Sequence, residues 1–304
     1  MCGIAGIFAK SQAAQDRLGA DLAAMLEQLR DRGPDSSGVA IYRDPVGDGL
    51  AKASLLDPTG ARRDWAAVAA ALASLGSASV AVDLGDQAVL ACEVADPELL
   101  RAWLAEHHPE LVLLSVGHEI ETFKRAGEPR RLIDDSDLRT MAGGHALGHT
   151  RMATESRVTT EHSHPFSTGP DLCLVHNGSI SNHNRLRRVL RARGVSFATD
   201  NDSEVAAGYL TWRFREGDDL QAALEAAVED LDGFFTFAIG TRDGFAVLRD
   251  PVGCKPAVLA ETEDWVAMAS EHRAIAILPG ADDAAVWEPE PGRIYRWSRA
   301  TVAA

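Results

Sequence analysis

Three stretches of different composition divide the chain, and this division constrains its fold more than any other feature. Residues 44–144 are rich in Ala and Leu and hold no dense set of reactive side chains. The flanking stretches differ, because Gly, Asn and Thr are frequent after Gly144 and six of the ten histidines lie between His145 and His183. The pattern predicts one domain over residues 1–304 with an accessory insertion at about 44–144.

Hydrophobic periodicity predicts strands and helices in all three stretches. Before the insertion, we expect a buried strand at 2–9, a helix at 16–29, a loop at 32–38 and a strand at 39–42. Within the insertion, we expect helices at 61–75 and 97–107 and strands at 80–84, 89–94 and 111–116. After it, the expected strands are 145–150, 172–176, 234–240, 245–249, 257–261, 266–269 and 293–297, and the expected helices are 184–193, 203–216 and 220–231.

Charge and cysteine content exclude several classes of protein. The formal net charge is −15, which argues against a nucleic-acid or membrane-surface partner. The one basic cluster, Arg185 to Arg193, has the spacing of a solvated helix face, with docking of an acidic partner as the alternative. The four cysteines form no CxxC pair, and no secretory signal or transmembrane run is visible. These features predict a cytoplasmic protein with reduced thiols.

The N-terminus places a cysteine at the second position. Removal of Met1 would give Cys2 a free α-amine, whose ordinary pKa of about 7.7–8 leaves a useful fraction neutral at cellular pH. Nucleophile and base would then lie on one residue. The alternative is an ordinary buried cysteine in a first strand, and Cys2 alone favours that alternative.

Four sequence blocks accompany this cysteine. They are MCGIAGIF at the start, RGPDSSG at 32–38, GHTRMAT at 148–154 with HSHPF at 162–166, and VHNGSISN at 175–182 with NDSEV at 201–205. A weaker fifth block combines RDPVGCKP at 249–256 with ASEHRAI at 269–275. In this order the blocks resemble the class II, or N-terminal-nucleophile, glutamine amidotransferases, and they cover nearly the whole chain outside the insertion.

The resemblance assigns the catalytic groups. Cys2 is the expected nucleophile, and Asn177 and Gly178 are the expected oxyanion hole, offering a side-chain amide and an unshielded backbone N–H. Such donors stabilise the charge that develops on a carboxamide oxygen under attack. The alternative for Asn177-Gly178 is an ordinary Asn-Gly turn.

The resemblance also implies how the amino-acid end of glutamine is held. Arg151 matches the arginine that binds the α-carboxylate, a task suited to a planar guanidinium. Asp202 matches the aspartate that binds the α-ammonium, and His164 matches a histidine of the glutamine pocket. A surface ion pair is the alternative for Arg151, and a helix N-cap region is the alternative for Asp202.

Supporting roles are expected for four further residues, namely Arg32, Asp35, His149 and His176, which would brace the site or orient its strands. Two positions depart from the family pattern. Met152 stands where several members have an aromatic residue, and Glu155 stands where some have histidine. Both departures would affect the loop that closes over glutamine and leave the reacting groups in place.

Two other kinds of function compete with this interpretation. The histidines at 145, 149, 162, 164, 176 and 183 would suit a metal-dependent hydrolase if three or four converged. A non-catalytic scaffold subunit is the other alternative, which the intact Cys2, Arg151, Asn177, Gly178 and Asp202 oppose.

The resemblance implies an α+β fold, the αββα sandwich of N-terminal-nucleophile hydrolases, here with an inserted α/β lobe. It implies hydrolysis of L-glutamine to L-glutamate and ammonia, with no cofactor on this chain. No synthase domain follows in this sequence, so we expect the ammonia to pass to a separate synthase subunit. By analogy that subunit is a flavin-dependent, glutamate synthase-like protein such as N-methylglutamate synthase. A free-standing glutaminase is the alternative.

Overall fold

The computed structural model describes residues 2–47, 49–152 and 158–299. The strands are β1 (Gly3–Ala9), β2 (Ser36–Tyr42), β3 (Ala51–Leu56), β4 (Ala78–Asp83), β5 (Gln87–Cys92), β6 (Val112–Gly117), β7 (Ile120–Ala126), β8 (His145–Arg151), β9 (Cys173–Ile180), β10 (Gly233–Thr241), β11 (Gly244–Arg249), β12 (Val258–Glu261), β13 (Trp265–Ala269), β14 (Ala285–Trp287) and β15 (Ile294–Ser298). The helices are α1 (Gln12–Gln28), α2 (Trp65–Ala71), α3 (Pro97–His107), α4 (Pro129–Asp135), α5 (His183–Ala192), α6 (Asp202–Arg215) and α7 (Leu220–Asp230).

Two antiparallel sheets form the centre of the molecule. The larger has the strand order β14-β12-β13-β1-β8-β2-β7, and the smaller has the order β15-β11-β10-β9. Helices α1 and α4 pack on the outer face of the larger sheet, and α5, α6 and α7 pack on the outer face of the smaller one. The order of layers is therefore helices, sheet, sheet, helices, as the αββα prediction requires.

Alternation along β1 shows how the sequence specifies these layers. Ile4 and Phe8 point into the core between the two sheets, whereas Ile7 points into the core beneath α1. This is the twofold period of a strand that is buried on both faces. Gly6 lies where the sheets approach closely, since a Cβ there would be 2.7 Å from Cε2 of Phe245. The small residue therefore sets the spacing of the sandwich next to the N-terminus.

The helical layer on the smaller sheet contains a buried arginine. Leu186 and Leu190 of α5 are buried, as the periodicity predicts, but Arg187 is also only 7% exposed. Its Nη2 donates to the backbone oxygen of Asn201 at 2.9 Å, and its guanidinium lies 4.9 Å from the ring centre of Phe197. The prediction of a solvated basic face is wrong at Arg187, because this side chain fastens the segment that precedes α6.

Residues 51–117 form a separate sheet, with the strand order β4-β5-β3-β6, and we call this region the accessory lobe. Its core packs α2 and α3 against the sheet and includes Leu55, Trp65, Leu90 and Leu100, all of which are buried. The next strand, β7, does not belong to the lobe, because it pairs with β2 in the larger sheet. Within the predicted insertion at about 44–144, the structure thus separates the lobe from β7 and α4.

Charged and polar side chains join the accessory lobe to the larger sheet. The Nζ of Lys52 on β3 lies 2.7 Å from Oε1 of Glu121 on β7, and both residues are buried. Gln87 on β5 donates to the backbone oxygen of Lys124 at 2.7 Å and accepts from the backbone N–H of Lys124 at 3.0 Å. Each of these buried polar groups has a partner. The contacts between the lobe and the larger sheet, which we call the polar seam, therefore fix the position of the lobe without burying an unpaired charge.

Most predicted elements are confirmed within a few residues, and α3 is confirmed at both ends. Its start is well specified, since Asp96 caps the helix through Glu98 N and Pro97 occupies the first turn. The predicted loop at 32–38 is wrong in its second half, because β2 begins at Ser36. Strands β3, β7 and β14 and helix α4 were not predicted. None of the helices in the described ranges combines the length and apolar character that a membrane span requires.

Candidate active site

Cys2 lies directly before β1, at the end of the larger sheet. Its backbone oxygen accepts two hydrogen bonds, from Nε of Arg32 at 2.9 Å and from Nδ2 of Asn177 at 3.3 Å. Its Sγ lies 3.7 Å from the backbone oxygen of Met152, and the residue is partly exposed. The thiol is therefore held at a surface opening, unlike the buried Cys92 and Cys173.

An open cleft of about 350 Å³ begins at this thiol and runs along the edge of both sheets. Its lining comes from the ends of β1, β8 and β9, the starts of α5 and α6 and the connecting segments beside them: Cys2, Arg151, Met152, His164, His176, Asn177, Gly178, Ser179, His183, Asp200, Asn201, Asp202 and Ser203. The cleft brings together the predicted nucleophile, oxyanion donors and substrate-binding residues, which lie far apart in the sequence. Asp35, His149 and Arg32 are not part of the lining.

Asn177 and Gly178 belong to strand β9, so the alternative of an Asn-Gly turn is wrong. They pair with Thr236 and Phe235 of β10. Gly178 has φ +148°, a conformation that favours glycine, and a Cβ there would lie 2.0 Å from the oxygen of Phe234. The backbone therefore requires glycine at this position.

Arg151 ends strand β8 and is only 5% exposed, which rules out the simple surface ion pair. Its backbone oxygen accepts from the N–H of Asp35 at 3.1 Å, so the predicted loop residue braces the arginine through the main chain. Burial lowers the pKa of Arg151, while the nearby acidic groups of Cys2, Asp35 and Asp202 act in the opposite direction. The guanidinium remains a cation at physiological pH.

Asp202 is the first residue of α6, across the cleft lining from Arg151. Its Oδ2 accepts from the backbone N–H of Ile180 at 2.9 Å. The helix cap itself is Asn201, whose side chain accepts from the N–H of Ser203. Asp202 therefore lies in the N-cap region of α6, directly after the cap residue, and its carboxylate also lines the cleft.

Behind Asp202 lies a buried cluster that the sequence did not reveal, consisting of His149, His164, His176 and Ser203. The Oγ of Ser203 lies 2.8 Å from Nε2 of His164, 2.7 Å from Nδ1 of His176 and 3.3 Å from Oδ1 of Asp202. All three contacts are hydrogen bonds when both histidines donate a ring N–H to Oγ and the Ser203 hydroxyl donates its own proton to Asp202. This arrangement links the pocket histidines to the carboxylate.

Burial lowers the pKa of each histidine in this cluster. Burial lowers the pKa of His149 to about 3 and holds the pKa of His164 well below its ordinary value. The His149 ring stacks on that of His164, with 4.0 Å between centres, and its Nε2 lies 3.1 Å from the backbone oxygen of His176. The His149 side chain therefore links strand β8 to β9, and the His176 side chain links β9 to α6. The supporting roles expected for these two residues stay predictions.

Arg32 connects the N-terminus to a residue that was not singled out as functional. While its Nε holds the Cys2 oxygen, its Nη1 lies 2.5 Å from Oε1 of Glu271. Arg32 also lowers the pKa of Glu271 by hydrogen bonding to its carboxylate. Glu271 lies in the weak fifth block, which was the available signal for it. Arg32 and Asn177 thus hold the same backbone oxygen of Cys2, and Glu271 anchors Arg32.

The histidines do not gather as metal ligands. His145 is buried between the sheets, with its ring stacked on Tyr42 and its Nε2 2.9 Å from the oxygen of Thr241. Within the three described ranges, no group of three His, Cys, Asp or Glu side chains converges as a metal site. Three residues named in the sequence analysis lie outside the described residues. They are Met1 at the N-terminus and Thr154 and Glu155 in the loop expected to close over glutamine.

Comparison with known proteins identifies the family. Residues 149–277 match the family described as "Glutamine amidotransferase domain". The curated "Glutamine amidotransferase-like protein GlxB" of Rhizobium meliloti is 47% identical over 303 residues, a match that covers 100% of both chains. The chain therefore belongs to the class II glutamine amidotransferase family, whose members are enzymes with an N-terminal nucleophile.

More distant relatives extend the comparison to the fold. The amidophosphoribosyltransferase of Archaeoglobus fulgidus is 32% identical over 171 residues, which cover 55% of this chain and 37% of that protein. The solved glutamine phosphoribosylpyrophosphate amidotransferase from B. subtilis superposes with a TM-score of 0.62 at 20% identity, covering 98% of this chain and 48% of that one. This chain thus spans about half the length of that structure. The likeness confirms the N-terminal-nucleophile hydrolase sandwich.

Proposed function

We propose that this enzyme hydrolyses L-glutamine to L-glutamate and ammonia through a thioester on Cys2. One observation carries the proposal: a single cleft holds a thiol, a buried cation and a carboxylate, with an amide and a glycine N–H beside the thiol. Glutamine needs this combination, because it presents a carboxamide at one end and an α-carboxylate and α-ammonium at the other. The cleft of about 350 Å³ has room for it.

The proposed reaction has two steps. Cys2 Sγ attacks the carboxamide carbon and passes its proton to the α-amine of Cys2, which is free once Met1 is removed. The C–N bond breaks, the leaving nitrogen takes the proton and ammonia departs, leaving a γ-glutamyl thioester. Water then attacks the thioester carbon, the C–S bond breaks, and L-glutamate leaves as the thiol is restored.

In both steps the carbonyl oxygen becomes an oxyanion, and we assign its stabilisation to Asn177 Nδ2 and Gly178 N–H. Support comes from the position of Asn177, whose Nδ2 already reaches the backbone oxygen of Cys2 at 3.3 Å. The donors are held by strand β9, so little reorganisation is needed as charge develops.

The other end of glutamine fits the two charged side chains of the cleft. We assign the α-carboxylate to Arg151 and the α-ammonium to Asp202, with His164 and His176 behind them. Burial lowers the pKa of both histidines and so disfavours a positive charge that would compete with the substrate's α-ammonium. Ser203 keeps Asp202 aligned, since its hydroxyl lies 3.3 Å from Oδ1 of that residue.

The test is glutamine hydrolysis by the purified Cys2→Ala variant, compared with Cys254→Ala. Cys254 is an exposed free cysteine outside the cleft lining, so it controls for general effects of thiol loss. We expect no glutamate release above background from Cys2→Ala, an unchanged rate from Cys254→Ala, and folded protein in both. Activity retained in Cys2→Ala would overturn the thioester mechanism.

We further propose that the ammonia passes to a synthase subunit, a flavin-dependent, glutamate synthase-like protein. In support, the accessory lobe contributes no side chain to the cleft among the described residues, although its polar seam fixes it firmly to the sandwich. A rigid region without reactive groups suits docking. The subunit should raise the rate of glutamine hydrolysis.

The partner proposal is tested by copurification. The chain is isolated alone and with the proteins that accompany it, and glutamine hydrolysis is compared with and without the acceptor substrate. A monomer that hydrolyses glutamine at full rate and retains no protein would make this chain a free-standing glutaminase.

A further inference from the structure

A second cavity, of about 460 Å³, lies between the accessory lobe and the sandwich and is not part of the glutamine cleft. We call it the lobe cavity. From the lobe it is lined by β3, α3 and the residues that follow α3, and from the sandwich by residues 167–168, 196–198 and Glu204. We propose that the lobe cavity binds a small organic anion with an apolar body, and that this ligand modulates glutamine binding in the cleft.

The anion preference comes from Arg101 of α3. Its Nε lies 3.1 Å from Oε1 of Glu98, but Glu98 is shared, since Nη2 of Arg215 lies 3.3 Å from its other oxygen. Within the described chain, Nη2 of Arg101 is buried and has no hydrogen-bond partner. Two guanidinium groups therefore share one carboxylate, and Arg101 at the wall of the cavity keeps a donor that no acceptor satisfies.

The acidic residue of the lining, Glu204, makes its hydrogen bonds away from Arg101. Both carboxylate oxygens of Glu204 are occupied, by the backbone N–H of Ala198 at 2.8 Å and by the N–H and hydroxyl of Thr199 at 2.8 and 2.7 Å. These hydrogen bonds give the Glu204 carboxylate a structural role, because they hold residues 198 and 199 against the start of α6. An anion entering the cavity would meet Arg101 as its principal charged partner.

The apolar part of the ligand follows from the rest of the lining. Leu55, Leu104, Leu111 and Leu113 of the lobe face Phe197 of the sandwich. Pockets that bind small molecules typically combine such apolar walls with a few polar anchors. A simple inorganic anion would leave these side chains uncovered, whereas an aryl or alkyl carboxylate would contact both kinds of surface.

Coupling to the active site follows from a shared wall. Residues 196–198 and Glu204 line the lobe cavity, whereas residues 200–203 line the glutamine cleft, so one continuous run of chain separates the two. Glu204 ties this run to the first turn of α6, and Arg187 ties it to α5 through Thr199 O and Asn201 O. A ligand that shifts residues 196–198 would therefore act on Asp202 through residues 199–201 and Glu204.

The binding test uses phenylacetate as the probe, titrated into the full chain by calorimetry. Acetate supplies the charge without the ring, and 2-phenylethanol supplies the ring without the charge. We expect phenylacetate to bind and the two controls to bind much more weakly. The Arg101→Gln variant should lose roughly 10- to 150-fold in affinity, the range typical for a hydrogen bond to a charged group. Arg130→Gln, which removes an exposed arginine on α4, should bind as the wild type does.

Arg101→Lys separates loss of charge from loss of fold, because it keeps the cation and should retain more affinity than Arg101→Gln. Absence of phenylacetate binding to the wild type, or equal binding by wild type and Arg101→Gln, would overturn the proposed site. Neither outcome depends on glutamine hydrolysis, so it leaves the proposed glutaminase function unaffected.

The coupling rests on the proposed function and is tested separately. Glutamine affinity is measured calorimetrically in the non-hydrolysing Cys2→Ala variant, with and without saturating phenylacetate. Allosteric coupling typically changes affinity by about 5- to 150-fold, and the same factor must appear in the affinity for phenylacetate when glutamine is present. Binding of both ligands without mutual effect would contradict the coupling and keep the lobe cavity as an independent site.

Discussion

The accessory lobe and the cleft end of the sandwich are equally well buried but are filled with opposite kinds of side chain. In the lobe, Leu90 and Leu100 are fully buried among other apolar groups. At the cleft, His149, His164 and His176 are 0%, 5% and 3% exposed. Burying polar groups is costly unless they are hydrogen-bonded, so a fold for stability alone would favour the first kind of interior. The difference indicates that the buried side chains at the cleft serve the reaction, whereas those in the core of the lobe serve stability.

This contrast predicts that substitutions at the cleft change catalysis and that substitutions in the lobe change stability. The largest effect on glutamine hydrolysis after loss of Cys2 is expected from Asn177→Ala. Its kcat should fall by roughly 10²–10³, as for other oxyanion donors, with little change in KM. Steady-state kinetics measures this. Asn182→Ala is the matched control, because that side chain donates to Asp230 O and lies outside the cleft lining. A large rise in KM at unchanged kcat would contradict the assigned role.

Arg151→Ala should act on substrate binding. Since the guanidinium holds the α-carboxylate in both ground state and transition state, KM should rise while kcat changes little. Hydrogen bonds to charged groups contribute about 1.5–3 kcal/mol, which corresponds to a rise of roughly 10- to 150-fold. The KM of Arg151→Lys should lie between those of the wild type and Arg151→Ala, because lysine keeps the positive charge but lacks the planar guanidinium. Equal KM values for all three proteins would exclude Arg151 from the glutamine site.

Ser203→Ala should have a smaller effect that reaches the substrate through Asp202. Removing the hydroxyl leaves the ring nitrogens of His164 and His176 without their shared partner, at a cost of about 1–3 kcal/mol of stability. The KM for glutamine should rise in Ser203→Ala, but by less than it rises in Arg151→Ala. Thr211→Val controls for the loss of a buried hydroxyl on the same helix, since Thr211 bonds to Thr168 away from the cleft. Equal KM values in the two variants would reduce Ser203 to a structural role.

Leu100→Ala in the lobe core should have the smallest effect on glutamine hydrolysis. Its free energy of unfolding should fall by about 2–5 kcal/mol, as for other buried leucine truncations. Urea denaturation measures the stability, and kcat/KM measured on the folded protein should equal that of the wild type. A fall in kcat/KM as large as that of Ser203→Ala would contradict the prediction that substitutions in the lobe core affect stability and not catalysis.

The sequence allowed prediction of those parts of the fold whose signals are local. Helix α3 was predicted at both ends because Asp96 and Pro97 mark its start within a few residues. Strand β7 was missed because its charged residues conceal the strand pattern. Glu121 and Arg125 are buried only because they meet Lys52 and Asp86 from the lobe, and such distant partners leave no local trace.

The candidate site divides in the same way. Cys2, Arg151, Asn177, Gly178, Asp202 and His164 were identified by resemblance and lie in one cleft, although their individual roles stay predictions. The sequence did not single out Ser203 or Glu271 as part of the site. Ser203 resembles an ordinary residue at a helix start, and its importance comes from two histidines, 27 and 39 positions away, that meet at its hydroxyl. Only the packed fold brings these groups together.

The central claim is that the N-terminal thiol forms a covalent intermediate with glutamine. Intact-mass spectrometry of enzyme acid-quenched during turnover tests it most directly, followed by peptide mapping of the adduct. The account predicts a chain that begins at Cys2 and carries a γ-glutamyl group on its N-terminal peptide, and no adduct in Cys2→Ala. Full turnover by protein that uniformly retains Met1, or a γ-glutamyl adduct on any other residue, would contradict the account.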